Sequence, residues 1–117
     1  MKPDARRFAN RFAALGHEMR LEIVRLLLAA HPGGMVAGEI QQELNIPAST
    51  LSHHLDALHQ ENLIQQHREG RFLRYLADDQ SLREILDFLY AECCTRNEVV
   101  QISVPARGRT GKVAGKR

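Results

Sequence analysis

Cys93 and Cys94 are the only cysteines of the chain, and they stand side by side in the stretch AECCTRN at the end of a helical pattern. Thiolate sulfur is a soft ligand that selects thiophilic centres, and it is also open to reversible oxidation. Bridging two adjacent cysteines strains the ring they close, and a reducing cytosol disfavours structural disulfides, so the expected form is a pair of thiols. Followed one turn past Leu82, Ile85, Leu86 and Leu89, the apolar stripe of this segment lands on Cys93, with Cys94 about 100° away beside Asp87 and Tyr90. Cys93 alone reads equally well as a small buried hydrophobe. Two neighbouring thiols are harder to assign to packing.

A second group of residues has the chemistry to read a polyanion. Burying Leu51, Leu55 and Leu58 on one helix face turns Ser49, Thr50, Ser52 and His53 outward. Small hydroxyls and an imidazole can exchange hydrogen bonds with base edges without blocking entry to a major groove, although the same face also reads as ordinary solvated surface. Arg68, Arg71 and Arg74, with His67 beside them, gather around Glu69-Gly70. Guanidinium groups pair with phosphate oxygens in a forked geometry and enter a narrow minor groove; their alternative use is to keep an edge strand soluble. The histidines as a set (His17, His31, His53, His54, His59 and His67) show no ligand spacing, so most are read as surface residues and no metal site is expected from them.

These residues need elements to hold them. Phe8, Phe12 and Leu15 recur at helical spacing in a first amphipathic helix ending near Gly16. Leu21, Ile23, Val24, Leu26, Leu27 and Leu28 cover most of the circumference of a second, as in a central buried helix, and PGG at 32–34 stops it. MVAGEIQQEL and PASTLSHHLDALHQENL then read as two short helices joined tightly around Asn45-Ile46, a helix-turn-helix, with Pro47 suited to a first turn. LIQQHREGRFLRYLA changes period and reads as a β-hairpin turning at Glu69-Gly70. DDQSLREILDFLYAECC returns to helix, with Asp79 or Ser81 as its cap.

Composition sets the outer bounds. A chain of 117 residues with 44% hydrophobic and 26% charged content suits one ordinary globular domain. No apolar run approaches the roughly 20 residues of a membrane span, so a cytoplasmic protein with no membrane partner is expected. The formal charge of +2 hides an asymmetry: residues 105–117, PARGRTGKVAGKR, carry five Lys or Arg and no acid, leaving −3 for the rest. A glycine-rich basic segment of this kind cannot bury enough surface to order itself. It reads either as a solubilising tail or as an extra, sequence-blind attraction to phosphate. The expected division is a domain over residues 5–95 and a C-terminal extension with a disordered basic tail over 96–117.

Over roughly residues 5–95 the sequence resembles the ArsR/SmtB family of metal-responsive bacterial repressors. The likeness is carried by ALGHEMRLEIVRLL, STLSHHLDALHQENLI and the wing-like REGRFLRYLA. It implies a mainly α, dimeric winged helix-turn-helix with a β-hairpin wing. The dimer is built from the first and last helices, and each subunit places Ser49 to His53 in a major groove of double-stranded operator DNA. Phe8, Phe12 and Leu15, with Leu82, Leu86 and Leu89, form more apolar surface than a lone flank needs, which fits a partner subunit.

The family's effector sites differ from member to member. Where founding-type arsenic sensors carry cysteines before the recognition helix, this chain has Val36 and Gly38. Where zinc sensors carry Asp and His along the last helix, it has Leu82, Arg83, Leu86 and Asp87. Some arsenic-responsive members carry a vicinal pair at the end of the last helix with a third cysteine beyond; here the pair is present and TRNEVVQISV supplies no third. The expectation is a repressor that needs no cofactor to bind DNA and is released when As(III) or methylated As(III) binds Cys93 and Cys94. A repressor sensing oxidation or persulfidation of the same thiols ranks second. A protein-interaction module is a further alternative, and no enzyme is expected, because the pair lacks the spacer of a dithiol oxidoreductase and no histidine follows it as a base.

Overall fold

The computed structural model describes residues 3–96. The basic tail expected to be disordered lies outside the described residues. Eight elements follow in order: α1 (Pro3–Leu15), α2 (Glu18–Ala29), β1 (Met35–Val36), α3 (Ala37–Leu44), α4 (Ala48–Gln60), β2 (Ile64–Glu69), β3 (Phe72–Ala77) and α5 (Asp79–Tyr90). Together they make a winged helix-turn-helix, with a three-stranded antiparallel sheet in the order β1-β3-β2. No helix among the described residues is long and apolar enough to cross a membrane.

The core follows from the apolar stripes. Ile23, Val24 and Leu27 of α2, Ile40 of α3, and Leu51, Leu55 and Leu58 of α4 meet Leu63 and Ile64, Tyr75 and Ala77 of β3 and Ile85 of α5. The second helix is less enclosed than its sequence suggests, because Leu21 and Leu28 stay exposed. In α1 the inward residues are Phe8, Arg11 and Ala14, with Leu15 half-buried and Phe12 outside. Arg11 reaches Glu84 of α5 at 3.4 Å, and the ring of Phe8 stacks on Phe88 of α5 with centroids 4.3 Å apart. Phe8 is therefore spent within the subunit, while Phe12, Leu86, Phe88, Leu89 and Tyr90 remain exposed on the α1 and α5 side.

Several local expectations are corrected. Met35 and Val36, read as the start of a helix, form β1 instead and pair with Tyr75 and Arg74 of β3. Gly34 makes that approach feasible: it sits at φ +75°, and a Cβ there would lie 2.4 Å from the Tyr75 carbonyl oxygen. The hairpin turns at Gly70-Arg71, one residue later than read, with Glu69 paired to Phe72 and Gly70 at φ +62°. Asp78, rather than Asp79 or Ser81, caps α5, its carboxylate accepting from the Ser81 N–H at 3.0 Å. Pro47 precedes the first turn of α4 as its N-cap. The last helix ends at Tyr90, so Cys93 and Cys94 lie in the turns that follow it.

Candidate nucleic-acid interface

The turn between α3 and α4 sets the direction of the interface. Asn45 closes α3 in the left-handed region, its N–H bonded to the Gln41 carbonyl; asparagine tolerates this conformation better than most residues. From there α4 leaves with Leu51, His54, Leu55 and Leu58 inward and Ser49, Thr50, Ser52 and His53 exposed. The four expected reading residues thus share an open face. Ser52, Leu51 and Leu55 also line one groove with Leu73 and Tyr75 of β3, so the helix and the wing abut.

On the wing, His67, Arg68 and Arg71 are exposed. Among the described residues neither Arg68 nor Arg71 pairs with a carboxylate. Arg68 Nη1 donates to the Gly70 carbonyl at 3.4 Å, and the Arg71 guanidinium lies 5.9 Å from the centre of the Phe72 ring. Arg74 differs. Its Nε donates to Glu69 Oε2 at 2.8 Å, and its Nη1 donates to the carbonyls of Gly33 at 3.4 Å and Gly34 at 3.3 Å. Of the three wing arginines read as phosphate partners, Arg68 and Arg71 are thus open to solvent, and Arg74 also ties the wing to the loop before β1.

Five of the six histidines are exposed, as expected for most of them, and His54 is the exception. It occupies the inner face of α4 and is 6% exposed. Its Nδ1 accepts from Arg20 Nε at 3.1 Å, and its ring centre lies 4.5 Å from that of His17 and 5.7 Å from that of His53. Burial pushes its pKa below the ordinary 6.5, and the charges of His17, Arg20 and His53 push the same way. The signal was present in the sequence, since His54 falls between Leu51 and Leu58 on the apolar stripe.

In the turns after α5 both cysteines are free and exposed, so Cys93 does not serve as core filler within the subunit. The Cys93 N–H donates to the Tyr90 carbonyl at 2.9 Å, Cys94 takes φ +65°, and the two sulfurs come within 3.2 Å. Hydrogen bonding with Cys94 first, then its charge and some desolvation, pushes the Cys93 thiol upward. No group of three or more His, Cys, Asp or Glu side chains among the described residues is arranged to hold a metal ion.

Residues 15–67 match the helix-turn-helix domain family. The chain is 34% identical over 80 residues to the transcriptional repressor SdpR of Bacillus subtilis (strain 168), covering 68% of this chain and 86% of that one. It is 36% identical over 78 residues to the uncharacterized HTH-type transcriptional regulator MJ1325 of Methanocaldococcus jannaschii, covering 67% and 85%. Among solved structures, the ArsR-like transcriptional regulator from Rhodococcus sp. RHA1 superposes with a TM-score of 0.69 at 27% identity, covering 77% of this chain and 82% of that one.

Proposed function

The chain belongs to the ArsR family of helix-turn-helix transcriptional regulators, which are DNA-binding proteins and not enzymes, and from that premise we propose that it is a cytoplasmic, homodimeric repressor released from its operator by a trivalent arsenical at Cys93 and Cys94. The observation that carries the DNA half is the open polar face of α4 abutting a wing whose Arg68 and Arg71 guanidiniums face solvent. Ser49, Thr50, Ser52 and His53 address base edges; Arg68, Arg71 and His67 address phosphate or the minor groove. Arg74 contributes by holding the wing in place.

The effector half rests on the exposed sulfur pair. The two free thiols lie 3.2 Å apart, near enough for one thiophilic centre to take both sulfurs. Two sulfurs satisfy a monomethylated arsenical, which offers two exchangeable hydroxyls; each S–As bond forms as a thiol proton and one hydroxyl leave together as water. Inorganic arsenite keeps a third position open, so methylarsenite is expected to be at least as effective. The raised pKa of Cys93 lowers its thiolate fraction for metalloid ligation and for oxidation alike, and redox sensing by the same pair is the second reading.

The test is fluorescence anisotropy on a DNA fragment selected by the purified chain, with methylarsenite, arsenite, antimonite, zinc, cadmium and peroxide added in turn. Release by arsenicals that is abolished in both Cys93→Ser and Cys94→Ser is the expected result. Release by peroxide alone sinks the arsenical reading. On the DNA side, Ser52→Ala and His53→Ala should each change discrimination between operator variants by roughly 1 to 3 kcal/mol; unaltered discrimination would remove them from the base-reading face.

A further inference from the structure

Arg20 and His54 join α2 to the recognition helix through a single hydrogen bond that has only one workable protonation state. Arg20 Nε–H can only donate, so His54 Nδ1 must carry a lone pair. His54 is then neutral with its proton on Nε2, and Arg20 is itself held from α1 by the Ala14 carbonyl, which accepts from its Nη1 at 3.5 Å. The same geometry disqualifies His54 as a metal ligand, since a metal on Nε2 would leave Nδ1 as a donor facing a donor.

We propose that His54 and Arg20 are positioning residues for operator binding: the neutral imidazole holds α4 at its working angle against α2, and a proton on His54 turns that contact into repulsion and disengages the recognition helix. This rests on the DNA-binding reading above. The titratable and charged groups that act on His54 are His17 and Arg20 from the α2 side and His53 from α4 itself. All are basic, and α1 holds Arg20 through the Ala14 carbonyl. Among the described residues no carboxylate bonds to His54; Glu61 of the same flank lines a groove with Arg20 and Ala14 and bonds to neither. A folded-state pKa below 6.5 means that the neutral contact stabilises the fold fully above that value and gives up its contribution as pH falls through it.

His53 and His67 work in the opposite sense, because protonating a group on the DNA face adds a cation opposite phosphate. Operator affinity should therefore be followed from pH 8 to pH 5.5 in an H53Q/H67Q background with and without His54→Gln, each protein normalised to its own value at pH 8. Glutamine still offers Arg20 an acceptor but does not titrate. The background protein should lose affinity on acidification, by up to about tenfold for a group whose pKa lies at or below 6.5, and adding His54→Gln should flatten the profile. In parallel, NMR of the free wild-type protein should show the Nε2–H tautomer of His54 and a titration midpoint below 6.5. Superimposable profiles with and without His54→Gln, or a midpoint at or above 6.5, would overturn the proposal. Absence of operator binding by the wild-type protein at pH 8 would instead defeat the DNA-binding reading, while the NMR midpoint still decides the Arg20–His54 contact.

Discussion

Arg68 and Arg74 are the same residue type on one hairpin and have different partners, so their replacement should have different signatures. Arg68→Ala should leave the melting temperature nearly unchanged and weaken binding to all DNA sequences alike, lowering the slope of log affinity against log salt by about 0.9 for each phosphate it no longer neutralises. Arg74→Ala removes an ion pair and two hydrogen bonds to carbonyls, so it should cost about 1 kcal/mol of stability, measured by chemical denaturation, and reduce the salt slope less. Sequence showed that arginines gather at the wing; it did not show which one the fold would use, because that depends on Gly33 and Gly34 being brought beside Arg74 from a distant part of the chain. The same limit hid the exposure of Cys93. Helical periodicity carried past Tyr90 puts it on the apolar stripe, but the helix stops first, and Leu86 and Leu89 of that stripe are themselves exposed within the subunit.

At the scale of elements, five helices and a hairpin were legible because each is long enough to show a period of 3.6 or 2. β1 was not. Two residues have no period, and Val36 fits a helical stripe as well as a strand; the pairing with β3 is decided by a chain approach that only the folded molecule provides. That approach makes Gly34 the sensitive glycine. Gly34→Ala would force a Cβ against the Tyr75 carbonyl at 2.4 Å and against the Leu76 side chain, at positive φ besides, and should destabilise the protein by about 2 kcal/mol or more. Gly70→Ala meets open space and should cost only the backbone penalty of about 1 to 2 kcal/mol. Thermal melts of the two variants check the order; equal destabilisation would mean that β1 does not hold the wing.

For the whole molecule, Leu86 and Leu89 are each 60% exposed on a helix whose inner face is bolted to α1 by the Phe8–Phe88 stack and the Arg11–Glu84 pair. A rigid apolar face of this kind is where a second subunit should bury surface. Leu86→Asp and Leu89→Asp are expected to give folded monomers in sedimentation velocity and to lose preference for an inverted repeat, whose half-sites must lie about one helical turn, roughly 34 to 36 Å, apart. A dimer that survives both changes would place the subunit seam elsewhere.

The pairing of β1 with β3 carries a consequence for how an operator tolerates mutation. β1 runs directly into α3, so the hairpin and the helix pair are laced into one sheet edge and cannot slide independently. Each half-site is then read like a key of fixed cut. A single base pair inserted between the bases met by α4 and the step met by the wing moves the two apart by about 3.4 Å and rotates them by roughly 35°, and the protein has no joint with which to follow. Such an insertion should cost as much affinity as removing the wing altogether, whereas a base substitution at the same place should be nearly silent.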